Sequence, residues 1–303
     1  MKNITTFCTT LLIGIALLLF GCHSPKTAST QKTGPRAINI LFLGHDSEHH
    51  NSEAYMPMLA SALYSRGIAL SYTEDPNDLN AENLSRYDGL LIYANHDEIT
   101  ASQEEVMLEY VRDGHAFIPV HSASFCFRNS PEYVDMVGGQ FLRHETGTFV
   151  ADITQADHPA LEGVEEFSTW DETYVHHEIA EDINVLMERS ESNPGEAGQK
   201  EPWTWTKTYG EGKVFYTAYG HDERTWGQPE FHDLMEAGIL WAVEADVKEQ
   251  WQAYMEDMPE LQYEERSNIP NYEKRDPAPR SQLPLSPEES KKLIQVPVGF
   301  SLE

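Results

Sequence analysis

The chain has 303 residues, 50 of them acidic and 21 basic, for a formal charge of −29. Such a field repels phosphate backbones and anionic head groups, which excludes nucleic acid as a partner and suits solubility outside the cell. Three cysteines are too few for a four-Cys zinc site.

The chain opens on a secretory leader. Lys2 supplies a basic start, residues 11–20 are almost wholly apolar, and Gly21-Cys22 follows. This pattern fits lipoprotein processing, in which residues 1–21 are removed and the acylated Cys22 tethers the protein to a membrane surface of the cell envelope. Ordinary cleavage to a soluble secreted product is the alternative, because Phe20 is bulkier than lipoprotein processing usually prefers. Loss of Lys2 takes the formal charge to −30, and loss of Cys8 together with use of Cys22 leaves Cys126 without a disulfide partner. Residues 22–36, rich in Ser, Thr, Lys and Pro, have too little apolar content to fold and read as a flexible tether.

From residue 38 to about 245, short apolar runs alternate with amphipathic stretches. Residues 38–43, 68–73, 88–94 and 116–120 have the length and composition of buried strands, and residues 53–66 and 102–112 show helical spacing ended by Gly67 and Gly114. This order predicts an α/β fold with a mainly parallel central sheet and helices on both faces, over a domain spanning 37–246. Residues 214–218 and 231–243 add a late strand and a closing helix. The middle is less regular: 149–153 and 174–179 read as strands and 192–202 as a surface loop. Residues 247–282 read as a linker, charged and rich in proline beyond 256. Residues 283–303 read as the opening of a following domain.

Thirteen histidines are many for this length, and four of them, His45, His96, His121 and His221, follow apolar runs closely. If those runs are parallel strands, the imidazoles share the carboxyl-end rim, where open α/β sheets place their chemistry. Acidic neighbours stand beside them: Asp46, Asp97, the pair Asp171-Glu172 before His176-His177, and Asp222. A carboxylate accepting one imidazole N–H suits general base work or metal ligation, although adjacent strand residues point to opposite faces. His49 and His50 could add a ligand from a loop, where solvated histidines are the commoner case.

His121 ends a strand abruptly, like the nucleophile elbow of hydrolases, but with His in place of Ser or Cys. Ser122 and Ser124 read as helix-capping or substrate-contact residues, and Cys126, between two phenylalanines, as buried filler inside the next helix. Aromatic residues including Trp170, Tyr174, Trp205 and Trp226 fall near these polar motifs and could line a sugar-binding surface. The alternation of Trp203 and Trp205 places one of that pair in the core.

Four motifs, Gly114-His-Ala-Phe-Ile-Pro-Val-His121-Ser-Ala, Gly138-Gly-Gln-Phe-Leu-Arg-His144, Trp170-Asp-Glu-Thr-Tyr174 and the run from Pro202 to His221, resemble the ThuA-like family, linked to trehalose utilisation. The resemblance implies a flavodoxin-like sandwich similar to class I glutamine amidotransferases. It also implies work on oxidised sugars, such as 3-keto-glycosides made by a partner dehydrogenase. The elbow cysteine of the amidotransferases corresponds to His121 here, which removes the thiolate mechanism and with it glutaminase activity. The tail from Leu283 resembles the start of dehydrogenase or propeller domains that follow ThuA-like domains in bacterial lipoproteins.

Within that resemblance His121 is expected to act as general base or metal ligand, with Asp171, Glu172 and Tyr174 orienting or protonating a carbohydrate substrate. His45, Ser122, His144, Trp205, His221 and Asp222 are expected to contact it. A zinc-like divalent ion held by His45, His121 and His221 would suit these residue types, although no compact ligand motif such as His-Glu-x-x-His is present. The alternative is a carbohydrate-binding or scaffolding module without turnover, serving a sugar dehydrogenase.

Overall fold

The computed structural model describes residues 34–45, 47, 49–190, 198–264, 271, 274 and 280–300. The leader, Cys22, most of the tether and Asp46 lie outside the described residues. In chain order the elements are β1 (Ile38–Leu43), α1 (Ser52–Tyr64), β2 (Ile68–Thr73), α2 (Ala81–Leu84), β3 (Gly89–Ile92), α3 (Ala101–Arg112), β4 (Ala116–Pro119) and α4 (Pro131–Val137). Then follow β5 (Gln140–Arg143), β6 (Thr146–Val150), β7 (Asp152–Ile153), β8 (Ser168–Glu172), β9 (Val175–His177), β10 (Asn184–Ser190), β11 (Lys200–Tyr209), β12 (Gly212–Thr217), α5 (Glu223–Trp226), α6 (Pro229–Ala242) and α7 (Ala245–Glu256).

Eight strands form the main sheet in the order β2-β1-β3-β4-β12-β11-β10-β7. The first five run parallel, and β11, β10 and β7 continue the sheet through antiparallel pairs. The central strands β3 and β4 read as continuous apolar runs because helices cover both faces: α1 and α6 pack together on one, α3 and α4 on the other. Every residue of β3 and β4 is buried. The fold class expected from the sequence is therefore the one observed.

Local chemistry sets the element boundaries. Thr100 and Gln103 form a reciprocal capping box at the start of α3, Pro131 stands at the first turn of α4 behind the Ser130 cap, and Gly138 ends α4 at φ +94°. Gly212, where β11 turns into β12, lies so close to α3 that a Cβ would be driven into the Val111 carbonyl oxygen. Both flanks are backbone and cannot swing aside, so Gly212→Ala is expected to cost about 2–3 kcal/mol, read as a lowered midpoint in urea.

Two readings are corrected here. The 247–282 segment is not linker throughout, because α7 runs to Glu256 and packs on β1, with Trp251 Nε1 donating to the Arg66 carbonyl at 2.8 Å. Residues 200–202 belong to β11 rather than to a loop, while residues 191–197 lie outside the described residues. The described part of the tail carries a helix, Pro287–Lys292, and Gln295 Nε2 donates to the Tyr64 carbonyl of α1 at 3.0 Å. Among the described residues no helix is long and apolar enough to cross a membrane.

The irregular middle of the chain builds a small cover of its own. Antiparallel pairs β5–β9 and β6–β8 stand apart from the main sheet. The β5–β9 pair meets the turn that follows β4, and β8 meets α5 beyond β12. The cover thus lies over the carboxyl ends of the parallel strands.

Candidate active site

The carboxylate of Glu172, the last residue of β8, sits among four imidazoles. Its Oε2 lies 3.3 Å from His121 Nε2 and 3.9 Å from His50 Nε2, and its Oε1 lies 3.3 Å from His221 Nδ1 and 3.5 Å from His144 Nε2. The His50, His121 and His221 rings are mutual neighbours, with centroids 5.1–5.9 Å apart. Residues from the ends of β4, β8 and β12 and from the loop after β1 thus meet at one point.

Each is held there for a local reason. His121 has φ +48°, a left-handed backbone that costs a non-glycine residue about 1 kcal/mol or more and persists only where its surroundings fix it. Here Tyr216 donates to the His121 carbonyl at 3.1 Å, Ser124 Oγ donates to the same oxygen at 3.1 Å, and the Tyr174 ring stacks on the imidazole at 4.0 Å. The Nδ1 atom of His121 donates to the Ala218 carbonyl at 2.7 Å, which fixes the ring with Nε2 towards Glu172. The sharp turn anticipated at this residue is present. A five-residue 3₁₀ turn, His121–Phe125, follows it instead of an α-helix, and Cys126 closes that turn fully buried. Burial pushes the Cys126 thiol far up, which keeps it inert.

His50 arrives from the loop between β1 and α1. Ser52 pins that loop, because its Oγ accepts the His45 N–H at 2.9 Å and donates to the His45 carbonyl at 3.0 Å, while Asn51 caps α1. Next to His221, Asp171 accepts four donors: the N–H groups of Glu172 (2.8 Å), His221 (3.0 Å) and Gly220 (2.9 Å), and the Thr225 hydroxyl (2.7 Å). Asp171 therefore positions the loop that carries His221, and its carboxylate has no capacity left for a substrate. Burial raises its pKa, and His121 together with these donors works against that rise.

Burial alone would raise the pKa of Glu172 as well. The His121, His221 and His50 imidazoles outweigh burial and hold the carboxyl well below the usual carboxylate range. Desolvation lowers His50 to about 4, against a partial pull upwards by Glu172, so this ring is neutral at pH 7. His221 moves the other way: burial would lower it, but Glu172, Asp171 and Asp222 together raise it.

A cavity of about 190 Å³ opens beside this cluster, lined by His49, His50, Asn95, Ser122, Phe125, Phe141, His144, Glu172 and Tyr174. His121 is fully buried and lies behind Glu172, outside that lining. A substrate in the cavity meets Glu172, His144, Ser122 and Tyr174 first, and the expectation that His121 itself faces the substrate gives way to this arrangement. Three further expected contacts are not brought here. His45 bonds Asn95 Oδ1 at 2.6 Å and packs on His96, so His50 takes its place among the imidazoles. Trp205 is fully buried, donates to the Val137 carbonyl at 2.8 Å and stacks on Tyr216; Trp203 is fully buried too, so both belong to the core. Asp222 caps α5 and pairs with Arg224, whose guanidinium covers the Trp170 ring. Likewise Asp97 pairs with Arg128, not with its neighbour His96.

The sequence offers His50 as a possible loop ligand with a solvated residue as the commoner case, and the structure favours the first, since His50 is 7% exposed. The signal was present: His50 directly precedes the Asn51 cap of a helix that follows a parallel strand, which aims it at the rim. His176 is a buried structural histidine, bonded to Glu201 at 3.1 Å and to Tyr216 at 3.0 Å.

The order β2-β1-β3-β4 with a cleft over the strand ends, and a residue in left-handed conformation where β4 turns, defines the class I glutamine amidotransferase-like group of α/β proteins. Within that group the family described as "ThuA: Trehalose utilisation" matches residues 39–242, two thirds of the chain, and the chain belongs to that family. Two solved structures described as ThuA-like proteins are similar in fold. That from Parabacteroides merdae ATCC 43184 has 19% identity and a TM-score of 0.60, covering 68% of this chain and 90% of the other. That from Bacteroides uniformis ATCC 8492 also has 19% identity, with a TM-score of 0.58, covering 69% and 91%. No curated protein sequence matches the chain.

Proposed function

We propose that this protein processes an oxidised sugar, a keto-glycoside of the trehalose type, by proton transfer at the imidazole–carboxylate cluster. The observation that carries the reading is an ionised Glu172 ringed by four imidazoles at the wall of an open cavity. A keto group acidifies the neighbouring C–H, and a positioned imidazole can remove that proton to begin elimination or isomerisation. His144 is placed for this step: its side chain is 39% exposed, its Nε2 lies 3.5 Å from Glu172 Oε1, which can take up the charge that develops on the ring, and its Nδ1 takes the proton once it exchanges its long 3.3 Å contact with the Glu145 carbonyl for substrate. A carboxyl held far below its usual range is a poor base, so Glu172 orients and stabilises. Phe141 and Tyr174 supply flat apolar walls, and the cavity is smaller than the roughly 300–1,000 Å³ of drug-sized ligand pockets, which suits one sugar ring.

The leader sequence and Cys22 support a membrane-anchored location, where a sugar dehydrogenase at the same surface would supply the substrate. The test is turnover of 3-keto-glycosides by the full chain. His144→Ala is expected to lower turnover by about 100-fold or more while sugar binding persists. Sugar binding without reaction on any keto-sugar would instead favour a carbohydrate-binding module.

A further inference from the structure

We infer that His50, His121, His221 and Glu172 together form a binding site for one divalent transition ion of the zinc type. One donor atom from each of the four lies within 4.8 Å of all the others. Donors about 2.0–2.2 Å from a single tetrahedral ion stand about 3.3–3.6 Å apart. Glu172 Oε2 stands 3.3 Å from His121 Nε2 and 3.9 Å from His50 Nε2, close to that spacing, while His221 Nδ1 stands 3.3 Å from the other carboxylate oxygen, Oε1; all three separations are longer than a charged hydrogen bond of about 2.7–2.9 Å.

Donor and acceptor accounting points the same way. His121 Nε2, both ring nitrogens of His50 and His221 Nδ1 are buried and have no hydrogen-bond partner, which is rare and costly for buried polar atoms. Because His121 Nδ1 is committed to the Ala218 carbonyl, Nε2 is the ring nitrogen left to face Glu172 Oε2. A shared cation satisfies both. The same Ala218 bond is the orienting contact that metal-ligating histidines usually make through their second nitrogen. Three imidazoles and one carboxylate are a donor set for zinc and its neighbours rather than for magnesium or calcium, which prefer oxygen. His50 and Glu172 line the cavity, so the site borders it, with four protein donors forming a complete tetrahedral set. The inference does not depend on which sugar, if any, is turned over.

Zinc alone is the probe. The full chain, stripped with a chelator and confirmed as folded by circular dichroism, is titrated with zinc, and bound metal is counted by elemental analysis after gel filtration. One equivalent is expected. His50→Gln and Glu172→Gln should each weaken binding by about 100-fold or more, at least the loss seen when a supporting contact is removed, and His177→Ala should leave it unchanged. His50 has no hydrogen bond to lose, so His50→Gln serves even if another variant fails to fold. A cobalt-substituted sample should show the visible spectrum of four- or five-coordinate, nitrogen-rich ligation. Folded wild-type chain that binds no stoichiometric zinc, or binding unaltered in both variants, overturns the site. Zinc binding without turnover removes the sugar reading and keeps the site, whereas turnover without zinc does the reverse.

Discussion

Replacing Asp171 with alanine should destabilise the protein by about 3–5 kcal/mol, a large part of the stability of an ordinary domain. The carboxylate is fully buried, and its removal strands three backbone N–H groups and takes one partner from the Thr225 hydroxyl, which keeps Thr169 Oγ1 at 2.9 Å. Each stranded donor costs about 1–3 kcal/mol, partly offset because a desolvated charge is no longer confined there. Asp171→Asn keeps the shape and one acceptor oxygen but turns an amide N–H₂ towards other donors, so its cost should be intermediate, about 2 kcal/mol. Urea unfolding of the three chains would show this order. Equal stability of wild type and Asp171→Ala would mean that the 220–221 loop is held by something else.

The second large effect concerns activity rather than folding. Glu172→Gln is nearly isosteric, but the folded state favours the ionised carboxylate, so the variant should fold with a lowered unfolding midpoint at neutral pH. Turnover should nevertheless fall by about 100-fold or more, because the single charge around which four imidazoles are arranged is gone. Steady-state rates measured beside a melting curve separate the two outcomes. A Glu172→Gln enzyme with normal rates would remove this residue from the chemistry.

The parallel half of the fold was legible because its signals are strong and local. β3 and β4 are buried on both faces and read as unbroken apolar runs, β1 departs from one only at Asn39, and α3 announces itself through Thr100, Gln103 and Gly114. The cover strands were harder, since β5 and β6 are short and half-exposed and their pairing with β9 and β8 is set by tertiary contacts. For the site, the rim argument found His121 and His221, and the motif around Trp170 found Glu172. It misplaced His45 because a residue two positions after a strand can turn to either side, and here Asn95 and His96 hold it away. Asp171 and Glu172 look alike in sequence. Only coordinates show that one carboxylate is consumed by backbone donors while its neighbour faces the cavity. Trp205 is an apolar residue on a central strand, and its indole N–H finds a carbonyl within the core, so proximity to polar motifs in sequence misled.

Hydrogen exchange at carbon tests the central claim most directly. A 3-keto-glycoside incubated with the full chain in heavy water is followed by proton NMR at the C–H positions flanking the carbonyl. Rapid deuterium uptake with the wild type, and uptake slowed to near the uncatalysed rate with Glu172→Gln, is the predicted result. A keto-sugar that binds in the cavity yet keeps its protons as long as in buffer would contradict proton transfer at this cluster.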